Sequence, residues 1–214
     1  LPPQETVRLL GGIFSALEPL AFLGMALWAI AMSRRGGANH PNKSALTWTL
    51  GCAIMSFVGA GFLGFAHTLP QVNIWTHGTL VTAMHGHLAF WGAYGMIVLG
   101  IITYAMPMLT ERKLYESAME QWSFWTANIG MVAMTCAFAV AGITQVYLER
   151  KAGMDFLLVQ KELHPHFLGL VLAASLFAFG ILAFIIQFFR YGLPKAAPKP
   201  RPHPPLAGSE ALNP

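Results

Sequence analysis

The sequence has 214 residues, of which 55% are hydrophobic and only 10% are charged. Its mean hydropathy of +0.54 is far above that of an ordinary soluble globular domain, so this class is excluded. The formal net charge of +4 could indicate a nucleic-acid-binding protein. The basic residues, however, lie beside long apolar stretches, where the positive-inside bias of membrane proteins accounts for them without nucleic acid.

Five stretches are long and apolar enough to cross a lipid bilayer, which requires roughly 20 apolar residues. In chain order they cover residues 9–32, 45–66, 79–106, 121–147 and 166–189. We therefore predict an all-α integral membrane protein, with five transmembrane helices within residues 1–192. Residues 193–214 are rich in Pro and Ala and contain few apolar side chains, so we expect a disordered tail.

The distribution of basic residues predicts how the spans are oriented. The side that holds the tail carries nine Lys and Arg residues, namely Arg34, Arg35, Lys43, Arg112, Lys113, Arg190, Lys195, Lys199 and Arg201. The other side carries four, namely Arg8, Arg150, Lys151 and Lys161. Because cytoplasmic loops hold the excess of Lys and Arg, we expect the tail in the cytoplasm and residue 1 outside.

The first predicted span contains Glu18, the only carboxylate in the five predicted spans, followed directly by Pro19. An ionisable side chain at membrane depth is costly and usually faces the bundle interior or a cavity. Pro19 removes a backbone hydrogen bond, and the resulting kink could turn Glu18 into such a cavity. Glu18 is then a proton carrier or a neighbour of a metal; a carboxyl group hydrogen-bonded between helices is the alternative.

Small residues are frequent in the next three predicted spans, which also hold Cys52 and Cys136. The glycines are Gly51, Gly59, Gly61, Gly92, Gly95 and Gly130. Helices in lipid pack closely through small residues, and we expect this role for the glycines. The alternative is that some of them make room for a flat cofactor. The two cysteines are expected to be small apolar core residues.

The third predicted span carries His85 and His87 with only Gly86 between them. Successive helical residues are about 100° apart, so the two imidazoles diverge by roughly 200° and cannot chelate one ion together. Each can instead contact a different group on its own side of the helix. Because neutral imidazole is a common axial ligand of haem iron, the spacing indicates two haems flanking one helix. Two core histidines bonded to backbone carbonyls are the alternative.

Four further histidines, His67, His77, His164 and His166, lie near the outer ends of the predicted spans. His77, at the mouth of the third, either meets a haem propionate or is solvated. His164 and His166 repeat the His-x-His pattern of the third span. Pro165 and the nearby span boundary make a matching helical geometry unfavourable, so we expect both histidines in a loop. At about 1.5 Å per residue, Glu18, His85 and His87 reach a similar depth below the outer face.

Several segments resemble one superfamily of membrane enzymes. The sequence "HGTLVTAMHGHLAFWGAY" at 77–94 resembles the tenth transmembrane helix of the haem-copper oxidase superfamily. Its His-Gly-His form followed by "LAFWGAY" is similar to the catalytic subunit of respiratory nitric oxide reductase. "SALEPLAF" at 15–22 is similar to the eighth helix of that subunit, and "GFLGFAHTLP" at 61–70 to the end of the ninth. The resemblance covers residues from about 9 to 190.

The resemblance implies that the five spans are helices eight to twelve of a twelve-helix bundle. His85 would be the axial ligand of a high-spin haem b and His87 an axial ligand of a low-spin haem b. His77 would bond the propionates of the high-spin haem. Glu18 would be a proton donor close to a non-haem iron. The reaction implied is the reduction of two nitric oxide molecules, with two electrons and two protons, to nitrous oxide and water.

The resemblance also implies partners. The family's histidine ligands to the non-haem iron, and the first ligand of the low-spin haem, lie on earlier helices that this sequence does not contain. The chain therefore looks like the C-terminal portion of a catalytic subunit and needs the remaining N-terminal part. A membrane-anchored cytochrome c subunit is the favoured electron donor over quinol, and the bacterial inner membrane is the expected location.

Three other functions stay open at this point. An oxygen-reducing haem-copper oxidase of the cbb3 type would hold copper instead of non-haem iron. A membrane cytochrome b would carry electrons without a catalytic metal. A transporter would use intramembrane His and Glu residues without haem.

Overall fold

Five long helices make up most of the protein. The computed structural model describes residues 4–36, 40–111 and 118–192, and this part contains no β-strand. The helices long and apolar enough to cross a membrane are span 1 (Leu9–Gly36), span 2 (Lys43–Thr68), span 3 (Leu80–Leu109), span 4 (Ala118–Lys151) and span 5 (Phe156–Arg190). The predicted all-α membrane architecture is thereby confirmed. The predicted tail at 193–214 lies outside the described residues.

Side-chain caps fix where three of the spans begin. The side-chain oxygens of Asn42 and Asp155 each accept a backbone N–H of the first turn at 2.9 Å, and that of Thr79 accepts one at 3.3 Å. Such caps satisfy donors that a helix start otherwise leaves free. Just before span 3, a short helix at Pro70–Thr76 is followed by Gly78, whose φ of 74° is readily adopted by glycine.

The spans pack as antiparallel neighbours, so their connections gather at two ends. We call the end that holds the connections 69–79 and 152–155 the site end, and the opposite end the tail end. Span 5 packs along span 4, span 3 packs between spans 2 and 4, and span 1 packs mainly on span 2. Only 6% of the most apolar window of span 1 is buried, so most of this helix faces away from the bundle.

Trp48 of span 2 is the centre of the core. Its fully buried ring makes edge-to-face contacts with Trp91, Phe124 and Phe184, at centroid distances of 6.2, 5.0 and 5.8 Å. These partners belong to spans 3, 4 and 5, so one indole joins four helices. Edge-to-face pairs of this kind add about 0.5–1.5 kcal/mol each to simple burial.

Spans 2 and 3 approach each other through two glycines. A Cβ atom on Gly59 would lie 2.7 Å from the backbone carbon of Leu88, and one on Gly92 would lie 2.6 Å from that of Met55. Both distances are too short for any side chain, so the two backbones pack directly against each other. For these two glycines the structure favours helix packing over space for a cofactor.

Local irregularities fall near the polar residues. Span 1 is interrupted at residues 16–17, between helices ending at Ser15 and restarting at Glu18. The interruption lies just before Pro19, where the sequence predicts a kink, and Pro19 has no N–H to donate to the carbonyl of Ser15. Spans 2 and 3 contain π-helical turns at Phe57–Leu63 and Trp91–Gly95. Such turns are frequent at functional sites.

The prediction that His164 and His166 lie in a loop is wrong. Span 5 begins at Phe156, ten residues before the predicted start, and both histidines lie within its α-helix together with Pro165. The cap at Asp155 starts the helix, and Pro165 removes only one hydrogen bond from a helix of 32 residues. Long membrane helices tolerate such a loss.

Candidate functional site

A cavity opens between spans 1, 2 and 3 towards the site end. We call it the site cavity; its volume is about 430 Å³. Its lining includes Glu18, Ala60, Gly64, His67, His85 and Ala93. Two of the sequence-predicted residues, Glu18 and His85, thus face one space although they lie on different helices. Small residues and three aromatic rings, those of Phe22, Phe90 and Tyr94, complete the lining.

Glu18 reaches the site cavity from the restart of span 1. Its side chain is exposed, and it makes no hydrogen bond or ion pair within the described residues. The predicted alternative, a carboxyl group bonded between helices, is therefore not what this part of the chain shows. A carboxylate that faces a cavity without a partner is free to exchange protons or to contact a bound group.

His85 is half-buried and oriented by the backbone of span 2. Its Nδ1 lies 3.0 Å from the carbonyl oxygen of Gly59. Because a carbonyl can only accept, Nδ1 must carry the proton, and in neutral imidazole this leaves the lone pair on Nε2. Gly64 lies beside the ring, where an added Cβ would be 3.4 Å from Cε1.

His67 of span 2 stacks on His85, with ring centroids 5.0 Å apart and planes 24° apart. Its Nδ1 donates to the carbonyl of Leu63 at 2.9 Å, and its Nε2 is buried without a hydrogen-bond partner among the residues that the structure describes. The sequence by itself indicates no role for His67, because only the fold brings it against His85.

His87 points away from the site cavity, towards span 4. Its exposed ring lies 4.8 Å from that of Phe138, and its Nδ1 donates to the carbonyl of Ala83 at 2.8 Å. Nε2 of His87 is therefore also the nitrogen that carries the lone pair. The two histidines of span 3 thus diverge as their spacing predicts. A Cβ on Gly86 between them would meet nothing within 4 Å in this chain.

A second cavity, of about 780 Å³, adjoins the first at the site end. We call it the mouth cavity; His77, Asn73 and Arg150 line it, and it shares His67 with the site cavity. The guanidinium of Arg150 donates to the carbonyls of Ile74 and His77 at 3.3 and 3.1 Å. His77 thus lies beside a positive charge, in a space suited to anionic groups.

Glu120 is a buried carboxylate that the sequence pattern did not reveal, because the fourth span was predicted to begin one residue later. Span 4 starts at Ala118, and Glu120 is only 1% exposed at the tail end of the bundle. Trp48 Nε1 donates to one carboxylate oxygen at 2.5 Å, and Gln187 Nε2 donates to the other. The sequence did contain a sign of this site. Trp48 and Gln187 are hydrogen-bond donors within otherwise apolar spans, and buried donors need an acceptor.

The described residues contain no group of three or more His, Cys, Asp and Glu side chains that could hold a metal ion. Any single-ion site would therefore need ligands in addition to those brought together here. A haem needs only one axial nitrogen from a given helix.

Comparison with known proteins identifies the family. Residues 2–179 match the family described as cytochrome c and quinol oxidase polypeptide I. The chain belongs to this family. Its members form the haem-copper oxidase superfamily whose motifs the histidines of span 3 resemble, so haem and metal cofactors are implied in general.

Two relatives within this oxidase family are informative. The chain is 43% identical over 192 residues to a nitric oxide reductase subunit of Stutzerimonas stutzeri, covering 85% of the chain and 40% of the relative. It is 32% identical over 136 residues to a cytochrome c oxidase subunit 1 homolog of Agrobacterium tumefaciens, covering 60% of the chain and 25% of the relative. The chain thus spans less than half the length of either.

The residues of this oxidase-family chain fit haem ligation. Both histidines of span 3 use Nδ1 to donate to a backbone carbonyl, so each presents Nε2 as a free ligand. A ligand histidine is commonly oriented by such a hydrogen bond from its other nitrogen. His85 also faces a cavity whose lining combines small residues with the aromatic rings of Phe22, Phe90 and Tyr94, while His87 faces outward at the surface of the bundle.

Proposed function

We propose that this chain is part of the catalytic subunit of a respiratory nitric oxide reductase. The observation that carries the proposal is the pair His85 and His87, which face opposite sides of one helix with both Nε2 atoms available. The similarity to a nitric oxide reductase subunit supports the same conclusion. The reaction is the reduction of two nitric oxide molecules, with two electrons and two protons, to nitrous oxide and water.

His85 holds the haem at which this reaction takes place. The high-spin haem b iron, when bound, supplies a site for nitric oxide and electrons for its reduction. The chain's contribution is orientation: the carbonyl of Gly59 accepts from Nδ1 and leaves Nε2 as the nitrogen that would ligate the iron. His77, beside Arg150 in the mouth cavity, holds the haem propionates.

Glu18 supplies protons in the site cavity. Two protons are consumed in each turnover, and the cavity has Glu18 as the carboxylate in its lining. Because this carboxylate has no partner among the described residues, proton transfer to a substrate oxygen breaks no structural bond. Glu18 would be the neighbour of a non-haem iron, whose histidine ligands would come from the remaining part of the catalytic subunit.

His87 would hold a low-spin haem b on the other side of span 3, and that haem would supply electrons for the reaction. Because His85 and His87 lie on one helix, the two haems would be held by neighbouring residues. The partners are the N-terminal part of the catalytic subunit and a membrane-anchored cytochrome c subunit. The protein lies in the bacterial inner membrane, with the site end on the periplasmic side and the tail in the cytoplasm.

Haem and metal analysis of the native complex, isolated through this chain with its partners retained, tests the proposal. Two haems b with one non-haem iron and no copper are expected. Copper in place of the non-haem iron would indicate an oxygen reductase of the cbb3 type. Haem without a catalytic metal would indicate a membrane cytochrome b, and the absence of haem would exclude the family's chemistry.

Two substitutions assign the ligands. His85→Ala should abolish the high-spin haem signal and turnover while the low-spin signal persists. His87→Ala should abolish the low-spin signal and leave the high-spin one. Optical and electron paramagnetic resonance spectra of the purified variants separate the two. Intact haem content in both variants would contradict the assignment.

A further inference from the structure

The geometry points to a second residue that fixes the reactive haem: we propose that His67 is a positioning residue for His85, holding its imidazole at the angle at which Nε2 ligates iron. This inference rests on the proposed function and deepens it. His67 touches neither the substrate nor the iron in this proposal. It acts through the ring of His85, on which its own ring stacks at 5.0 Å.

One hydrogen bond does not fix the orientation of an imidazole. The bond from His85 Nδ1 to the carbonyl of Gly59 directs one edge of the ring, but the ring can still rock about that contact. The torsion that turns an imidazole about its Cβ–Cγ bond has broad minima and restrains it weakly. A contact on the face of the ring supplies the missing restraint.

His67 is suited to this role because its own ring is anchored. Its Nδ1 donates to the carbonyl of Leu63 at 2.9 Å, one turn earlier in the same helix. The two rings are within 24° of parallel, so His67 covers a face of His85 rather than an edge. Gly59 and His67 both belong to span 2. The edge restraint and the face restraint therefore come from one helix, and they move together relative to span 3.

The flat ring of His67, rather than its charge or its second nitrogen, carries this effect. Nε2 of His67 is buried and makes no hydrogen bond, so it contributes nothing to the contact with His85. A phenylalanine at this position would keep a flat ring and lose only the anchor to Leu63. An alanine would remove the ring, and a leucine would fill much of its volume without a flat face.

The experiment uses the complete complex and compares His67→Phe, His67→Leu and His67→Ala. The control is His166→Ala, because His166 also has a buried, unpartnered ring nitrogen but makes no ring contact with His85 in the described part of the chain. The readouts are the iron–histidine stretching band and the resonance spectrum of the high-spin haem. The low-spin haem in the same sample serves as an internal reference.

We expect a shifted or broadened iron–histidine band in the Ala and Leu variants, a nearly native band in the Phe variant, and no change in the control. If the Ala variant does not assemble, the iron–histidine band of the Leu variant tests the role of the flat ring. A native band in the Leu variant, an equal shift in the Phe variant, or an equal disturbance of the low-spin haem would each overturn the inference. A wild-type complex without a high-spin haem would instead overturn the proposed function.

Discussion

The two ends of the bundle each hold a carboxylate, and the two are placed in opposite ways. Glu18, towards the site end, faces a cavity and has no partner among the described residues. Glu120, at the tail end, is 1% exposed and accepts hydrogen bonds at both carboxylate oxygens. The same chemical group is therefore available for reaction at one end and committed to structure at the other.

The difference teaches how to separate a functional from a structural carboxylate inside a membrane. Any ionisable group in a membrane span is costly, so the presence of both carboxylates needs a physical reason. The deciding property is whether hydrogen-bond donors within the protein occupy the carboxylate oxygens. Those of Glu120 join spans 2, 4 and 5 through Trp48 and Gln187. Those of Glu18 are left for a ligand or a proton.

The largest expected effect is on turnover, from Glu18→Gln. The amide has nearly the same shape but cannot deliver a proton, so nitric oxide reduction by the complete complex should fall by at least about 100-fold. Thermal unfolding and both haem spectra should stay native, because Glu18 bonds nothing in the described chain. A variant that keeps native turnover would remove Glu18 from the proposed mechanism.

Glu120→Ala should show the opposite pattern. It removes the acceptor of the buried Trp48 indole, and an unsatisfied buried donor costs about 1–3 kcal/mol. We expect the unfolding free energy to fall by about 2 kcal/mol, measured by thermal or denaturant unfolding in detergent, with normal turnover per folded molecule. Glu120→Gln, which keeps one oxygen acceptor, is the control and should lose less. Equal stability of wild type and Glu120→Ala would contradict the structural role.

Gly59→Ala and Gly92→Ala form a matched pair at the crossing of spans 2 and 3. Each adds a Cβ within 3 Å of backbone atoms, so each should destabilise the bundle by about 1–3 kcal/mol. Only Gly59 supplies the carbonyl that orients His85. The high-spin haem spectrum should therefore change in the Gly59 variant alone. A change of equal size in both variants would mean that helix separation, not the carbonyl, controls the haem.

The smallest expected effect is that of Trp48→Phe. Phenylalanine keeps most of the edge-to-face packing but cannot donate to Glu120, so the loss should be about 1 kcal/mol. Combining it with Glu120→Ala in a double-mutant cycle measures the coupling of the pair. Additive losses would show that the indole and the carboxylate act independently.

The spans were predictable because hydropathy alone marks a membrane helix. The divergence of His85 and His87 was also predictable, because it follows from about 100° per residue. The break in span 1 followed from Pro19, whose effect on a helix is local. Each of these conclusions depends on neighbouring residues in the chain, which a sequence displays directly.

Contacts between distant residues were not predictable. The stacking of His67 on His85 and the bond from His85 to Gly59 join residues 18 and 26 positions apart. Neither has a periodic signal. Helix ends were the other failure. The start of span 4 was placed three residues late, which left Glu120 outside the predicted span, and the start of span 5 was placed ten residues late, which assigned His164 and His166 to a loop.

The loose packing of span 1 has a consequence for biogenesis. This helix carries Glu18 yet rests mainly on span 2, with most of its surface facing outward. Helices that insert separately find their places only by side-to-side association within the bilayer. Glu18 thus belongs to the least buried of the five spans in the described part of the chain. On the proposed function, proton delivery by Glu18 would require further helices to pack against span 1 first, and the chain by itself would be inactive.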